Sequence, residues 1–235
     1  MSDSGALAGR PLRLLALDTT GEFGSIALSE DDCIVEEVPL HSPEGFAHII
    51  YGEIQRLLER RHLRLEDLDG FASASGPGSF TGVRIGLTVA KGLAEATGRC
   101  VVSVSNLEAL GWFGTKALRA TLLDARRGEV YGAVYDATLK PVRDEVVMPL
   151  PGWLAALPEG DLEIITSGFA LPEDFARYPV VDAGRALAGA IARLAAERFA
   201  AGLAMDPAEI DANYVRRSDA ELLWKEPAST RIRPG

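Results

Sequence analysis

Apolar residues cluster in three short blocks at the start of the chain. Residues 13–18 (RLLALD) form a nearly continuous apolar run that ends in Asp; residues 24–29 (GSIALS) and 33–40 (CIVEEVPL) follow. Tight polar connections at 19–23 and 30–32 predict an antiparallel meander. Pro43 predicts a helix start, where its missing N–H costs little. Phe46, Ile49, Ile50, Ile54, Leu57 and Leu58 then repeat at helical spacing, while Glu53, Gln55, Arg56, Glu59 and Arg60 stay polar. Residues 71–75 (FASAS) read as a small-residue strand feeding a Gly-rich segment, a second helix near 83–97 stopped by Gly98, and a strand at 100–104. A meander followed by strand–helix alternation predicts a mixed sheet with helices on its faces.

The second half echoes the first. Residues 121–124 (TLLD) again end in Asp and lead through 125–129 into 130–135 (VYGAVY), then a strand near 144–148. A short helix or loop at 149–157, a strand at 162–167 and an Ala-rich helix at 184–201 follow, and 211–224 predict a last strand and short helix. Strand-Asp-turn-strand therefore occurs twice, at Asp18 and Asp124. The repeat predicts two related α/β domains with mixed sheets packed face to face, with boundaries near 1–105 and 106–225.

Composition narrows the chemistry. The net charge is −10, spread over both halves. Such an acidic chain is a poor direct nucleic-acid binder, since phosphate neutralisation needs clustered cations. No apolar run reaches the ~18 residues of a membrane span. The first ten residues lack a signal pattern and predict a loose leader and the cytoplasm. Cys33 and Cys100 sit in apolar strand-like runs and predict buried, reduced thiols. His41, His48 and His62 lack the three- or four-residue spacing of a helical metal pair, so no metal site is expected.

The glycines at 76, 78 and 82 invite a phosphate-loop reading. They are one residue too long for G-x-G-x-x-G, and Gly82 is followed by Val83 and Arg84 rather than the Lys of a P-loop. A helix N-terminus with Ser79 and Thr81 still offers donors to an anion. Within the following helix, Gly82, Gly86, Ala90 and Ala94 recur every fourth residue. Such a flat stripe suits close approach of another helix, or of the chain's own sheet. G-x-S-x-G is absent and no residue is expected to be catalytic. Asp18 and Asp124 could share a magnesium-nucleotide, or simply accept backbone N–H bonds in their turns. Tyr131 and Tyr135 share a strand face and read as core or rim aromatics.

Three stretches carry a family resemblance: LLALDTTGEFGSIAL (14–28), SGPGSFTGVRIGLTVAKGLA (75–94) and LLDARRGEVYGAVYD (122–136). They look like the actin/Hsp70-type (ASKHA) fold and, more narrowly, resemble the bacterial TsaB (YeaZ) family, as does the tail IDANYVRRSDAELLWK (210–225). The resemblance implies a non-catalytic scaffold or activator that heterodimerises with a homologous TsaD transferase, for threonylcarbamoylation of the tRNA adenosine beside the anticodon. It also implies a TsaE-like ATPase as further partner, a homodimer in isolation, and contact with tRNA only indirectly. The resemblance turns the small-residue stripe toward docking, with Gly82, Arg84, Gly86, Leu87, Ala90 and Ala94 as the partner interface. It places Asp18, Thr19 and Thr20 at the fold's first phosphate hairpin, with Ser79, Thr81 and Asp124 completing a candidate nucleotide or anion cleft. Here the hairpin reads D-T-T-G, without the glycine between Asp and Thr that lets amides approach phosphates. No cofactor is implied for the chain itself; ATP and magnesium would enter at the level of the complex. The alternative is a small actin-fold ATP-binding enzyme, a kinase or ATPase, which needs the glycine-rich hairpins this sequence lacks.

Overall fold

A computed structural model describes residues 9–172, 178–213 and 215. The apolar run β1 (Arg13–Asp18) becomes the centre of a five-stranded sheet. It pairs antiparallel with β2 (Phe23–Glu30) and parallel with β4 (Gly70–Ala74). β3 (Cys33–His41) extends the sheet beyond β2, and β5 (Cys100–Val104) beyond β4. A strand covered on both faces has no solvent side to make polar, which is why β1 does not alternate. Leu15 and Leu17 enter the outer core, beneath α1 (Ile50–Arg60) and α2 (Phe80–Thr97). Leu14 and Ala16 enter an inner core.

The second half repeats the plan. β6 (Leu118–Arg126) pairs antiparallel with β7 (Glu129–Asp136) and parallel with β9 (Leu162–Thr166). β8 (Pro141–Pro149) and β10 (Val180–Asp182) close the edges. The orders β3-β2-β1-β4-β5 and β8-β7-β6-β9-β10 are the same. The fold is therefore the expected α/β arrangement of two related mixed sheets, actin/Hsp70-like.

Helices fill the space between the sheets. α3 (Asn106–Gly111) packs on β6, β7 and β9, whereas α5 (Ala188–Ala200) lies across all five strands of the first sheet. Both helices contribute to the inner core. α4 (Leu150–Ala155) covers the outer face of the second sheet. There Trp153 lies on Gly132, where a Cβ would sit 2.1 Å from its Nε1, so the glycine between the two tyrosines makes room for the indole. Tyr131 and Tyr135 turn to the opposite, inner face.

Some expectations need correction. The first helix begins at Ile50, not at Pro43. Residues 42–45 form a turn instead: Ser42 Oγ donates to the Gly45 carbonyl at 2.5 Å, and Gly45 has φ +89°. Both cysteines are free, but both are exposed. Each is the first residue of its strand, where neighbouring structure does not yet cover it. The Ala-rich helix starts at Ala188 rather than 184, and α3 was not anticipated. Of the expected tail elements at 211–224, only 211–213 and 215 are described; the rest lies outside the described residues.

Candidate functional site

The segment before α2 is shaped by how closely it approaches β1 and the hairpin after it. Ser79 caps the helix, its Oγ accepting from Gly82 N at 3.3 Å. Gly98, at φ +63°, ends it. A Cβ on Gly78 would lie 2.6 Å from the Thr20 carbonyl oxygen, and one on Gly82 2.1 Å from that of Thr19. At Gly86 it would meet Thr19 Oγ1 at 2.7 Å. The small-residue stripe is thus the seam between α2 and the chain's own sheet. This corrects the interface expectation. Gly82, Gly86, Leu87, Ala90 and Ala94 are buried within the chain, and of the six residues only Arg84 is exposed. Helical spacing identifies a flat face but does not say what lies on it.

The opposite side of α2 is open. Phe80 is 44% exposed and Tyr51 of α1 55%. Together with Ala47, Ile50, Thr81, Arg84, Ile85, Thr88 and Val89 they line a groove of about 460 Å³ between α1 and α2. The Arg84 guanidinium lies over the Phe80 ring, 3.8 Å from its centroid. Sequence reasoning missed Phe80 and Tyr51. The available signal was an aromatic on the polar side of each helix.

The six cleft candidates do come together. Asp18, Thr19, Thr20, Ser79, Thr81 and Asp124 all line one cleft of about 1020 Å³ where the two sheets' first hairpins face each other. Their bonding is inward. Asp18 is buried, and its Oδ1 accepts from Thr20 N at 3.0 Å, Thr20 Oγ1 at 2.7 Å and Asn106 Nδ2 at 3.4 Å. Burial pushes its carboxyl above the ordinary carboxylate value, partly offset by the bonds from Thr20 and Asn106. Asp124 is exposed and accepts from Arg126 N at 2.7 Å. The two aspartates thus fix equivalent turns in the two halves, each through the N–H two residues on.

Four amides beside the cleft are already engaged. Thr20 N bonds Asp18, Ser79 N bonds the Thr20 carbonyl at 2.6 Å, Gly82 N bonds Ser79 Oγ, and Val83 N bonds the Ser79 carbonyl at 2.8 Å. As bonded, the Thr20 amide is turned onto Asp18 and the Ser79 amide onto Thr20, so neither is open to a phosphate. Among the described residues no group of three His, Cys, Asp or Glu is placed to hold a metal ion. The cleft also holds residues that sequence reasoning did not assign to it. Asn106 lies on its floor, and Arg126 and Arg185 on its walls. Arg185 sits 4.0 Å from the Phe23 ring centroid, and Phe23 stacks on His41 at 4.4 Å.

Known proteins resemble this chain in sequence and in fold. A family model described as "TsaD: tRNA N6-adenosine threonylcarbamoyltransferase" matches residues 37–207. The Bacillus subtilis "tRNA threonylcarbamoyladenosine biosynthesis protein TsaB" is 33% identical over 162 residues, 67% of this chain and 71% of the relative. The Escherichia coli protein of the same name is 38% identical over 128 residues; there the match spans about half of each protein, 53% and 55%. The Pseudomonas aeruginosa structure titled YeaZ superposes with a TM-score of 0.73 at 27% identity, covering 86% of this chain and 100% of that one. A second Pseudomonas aeruginosa structure, described as similar to peptidase YeaZ, has a TM-score of 0.75 at 28% identity, covering 87% and 100%. By sequence match over most of its length and by superposition over nearly all of it, the chain belongs to the TsaB (YeaZ) family.

Proposed function

We propose that this chain is a non-catalytic activating subunit in tRNA threonylcarbamoyladenosine formation, pairing with a TsaD-like transferase through the groove between α1 and α2. The observation that carries the docking part is that groove: two exposed aromatics, Phe80 and Tyr51, flank a concave strip whose helices are anchored from behind. Large rigid aromatics beside an arginine are the composition of interface anchors. The pathway comes from the relatives' names. The lack of intrinsic catalysis is supported by the inward bonding of the cleft hairpin. On this reading a TsaE-like ATPase, ATP and magnesium act at the level of the complex, and tRNA is held by the partner rather than by a chain of net charge −10. The same groove would serve a homodimer in isolation, since an isologous contact uses one patch twice.

Reconstituted tRNA threonylcarbamoylation, with and without this chain, tests the reading. Activity should depend on the chain and fall with Phe80→Asp in parallel with loss of the heterodimer on size-exclusion chromatography. Full activity without the chain would refute the activator role. The alternative, an actin-fold ATP-binding enzyme, draws on the size of the cleft; micromolar ATP affinity of the isolated chain by calorimetry would favour it.

A further inference from the structure

Asn106 is the first residue of α3, is 1% exposed and lines the cleft. Its Oδ1 accepts from Gly76 N at 3.1 Å, and its Nδ2 donates to Thr20 Oγ1 at 2.9 Å and to Asp18 Oδ1 at 3.4 Å. Its own N–H donates to the Gly76 carbonyl at 2.9 Å. The amide orientation is dictated by chemistry. Gly76 N–H can only donate, so it must face the oxygen. Thr20 Oγ1 spends its proton on Asp18 Oδ1 and therefore accepts from the nitrogen. Neither an aspartate nor an apolar isostere reproduces that pattern.

The bonds run on toward α2. Thr20 passes its carbonyl to Ser79 N, the cap of that helix, and Thr19 Oγ1 donates to the Gly82 carbonyl at 2.7 Å. Asn106 thus holds the segment leading into α2 at two points: directly at Gly76, and through Thr20 at Ser79. Phe80 follows the cap at once. Phe80, Thr81 and Ile85 line both the cleft and the groove, so they are a wall shared by the two.

We infer that Asn106, through Thr20, is a positioning residue for partner docking: it sets where the first turn of α2 holds Phe80 and Thr81 in the α1/α2 groove. This rests on the reading of that groove as the partner surface. A buried polar network with every member satisfied has one low-energy arrangement, and removing a member frees the group it held. The cleft hairpin, engaged internally rather than around a phosphate, then serves the docking face.

The test measures affinity of the full chain for its TsaD-like subunit, by calorimetry or light scattering, beside thermal midpoints. Asn106→Asp places a second carboxylate against Asp18, and Thr20→Val removes the shared hydroxyl at constant shape. Each should weaken binding by about tenfold or more, roughly the equilibrium equivalent of one lost buried partner. Thr20→Ser keeps the hydroxyl and should bind as the native chain does. Leu154→Ala, in the distant outer core of the second sheet, lowers stability without touching the hub and should also bind normally. Native affinity in both Asn106→Asp and Thr20→Val overturns the inference, and so does an equal loss in Leu154→Ala at a matched midpoint. If Asn106→Asp does not fold, the Thr20→Val and Thr20→Ser pair decides alone. Phe80→Asp separates the two levels. If it leaves binding intact, the groove reading fails and this inference falls with it; if it abolishes binding while the hub variants do not, only this inference fails.

Discussion

Alanine at Gly82 sets two opposing effects against each other. In a helix, alanine is favoured over glycine by about 0.8–1 kcal/mol, because glycine loses more backbone freedom on folding. At Gly82 the new Cβ would lie 2.1 Å from the Thr19 carbonyl oxygen and 3.2 Å from its carbon. Both partners are backbone, one in α2 and one following β1, so relief requires moving the helix off the sheet. Overpacking of that kind costs about 1–3 kcal/mol, and a rigid backbone contact belongs at or above the upper end. The net expectation is a loss of about 2 kcal/mol, or roughly 4–8 °C in Tm for a chain of this size. Gly92 in the same helix is the internal reference. Nothing lies within 4 Å of its Cβ position, and Gly92→Ala should gain about 0.5–1 kcal/mol. Urea unfolding followed by circular dichroism, with m-values compared, reads both changes. A Gly82→Ala chain as stable as the native one would refute the seating of α2 on β1 and return the stripe to the partner-facing role that its spacing first suggested.

Other substitutions probe the remaining contacts. Gly132→Ala would drive a methyl to 2.1 Å from Trp153 Nε1; about 2 kcal/mol of lost stability and a red shift in tryptophan emission are expected, and an unchanged spectrum would place the indole elsewhere. Glu37 caps α5 across the sheet, its Oε1 accepting from Gly189 N at 2.9 Å and Ser25 Oγ at 3.1 Å; Glu37→Ala should cost about 1 kcal/mol and speed amide exchange in the first turn of α5, with Glu37→Gln losing less. Asp18 should leave a pH signature. Its folded pKa is raised above the ordinary 3.8 by burial, so its relative contribution is greatest below that value and is lost as pH rises through the folded pKa. The stability of the native chain minus that of Asp18→Asn should therefore decline as pH rises from about 4 toward neutrality, and a difference that grew with pH would contradict the burial of this carboxyl.

Much of the fold was legible along the chain because its signals are local. The nearly continuous apolar run of 13–18 reads as a strand, and its lack of a polar side fits the central place, covered on both faces, that the sheet gives it. The Asp-turn repeat at 18 and 124 announced two related halves, and both aspartates do bond the N–H two residues on. Glycine spacing at 76, 78 and 82, with Val83 and Arg84 after the last, already excluded the two standard phosphate loops. Local signals misled where a turn took priority over periodicity, as at Gly45, whose positive φ delays the first helix to Ile50.

What lies opposite a face is not a local property, and there the tertiary structure decided. The stripe Gly82/Gly86/Ala90/Ala94 is equally flat whether a partner or β1 covers it; only the approach of the Thr19 carbonyl to 2.1 Å from the Gly82 Cβ position assigns it to the chain's own sheet. α5 has no side-chain cap of its own, and its N–H groups are met by Ser25 and Glu37 from strands more than 150 residues earlier. Asn106 reads as an ordinary residue after a strand, yet it joins Gly76, Thr20 and Asp18. Hydrophobic periodicity records which side of an element avoids water. Which neighbour excludes that water, and which buried donor meets which acceptor, is fixed by long-range packing, and with it the aromatic pair Phe80 and Tyr51 that the fold leaves facing outward.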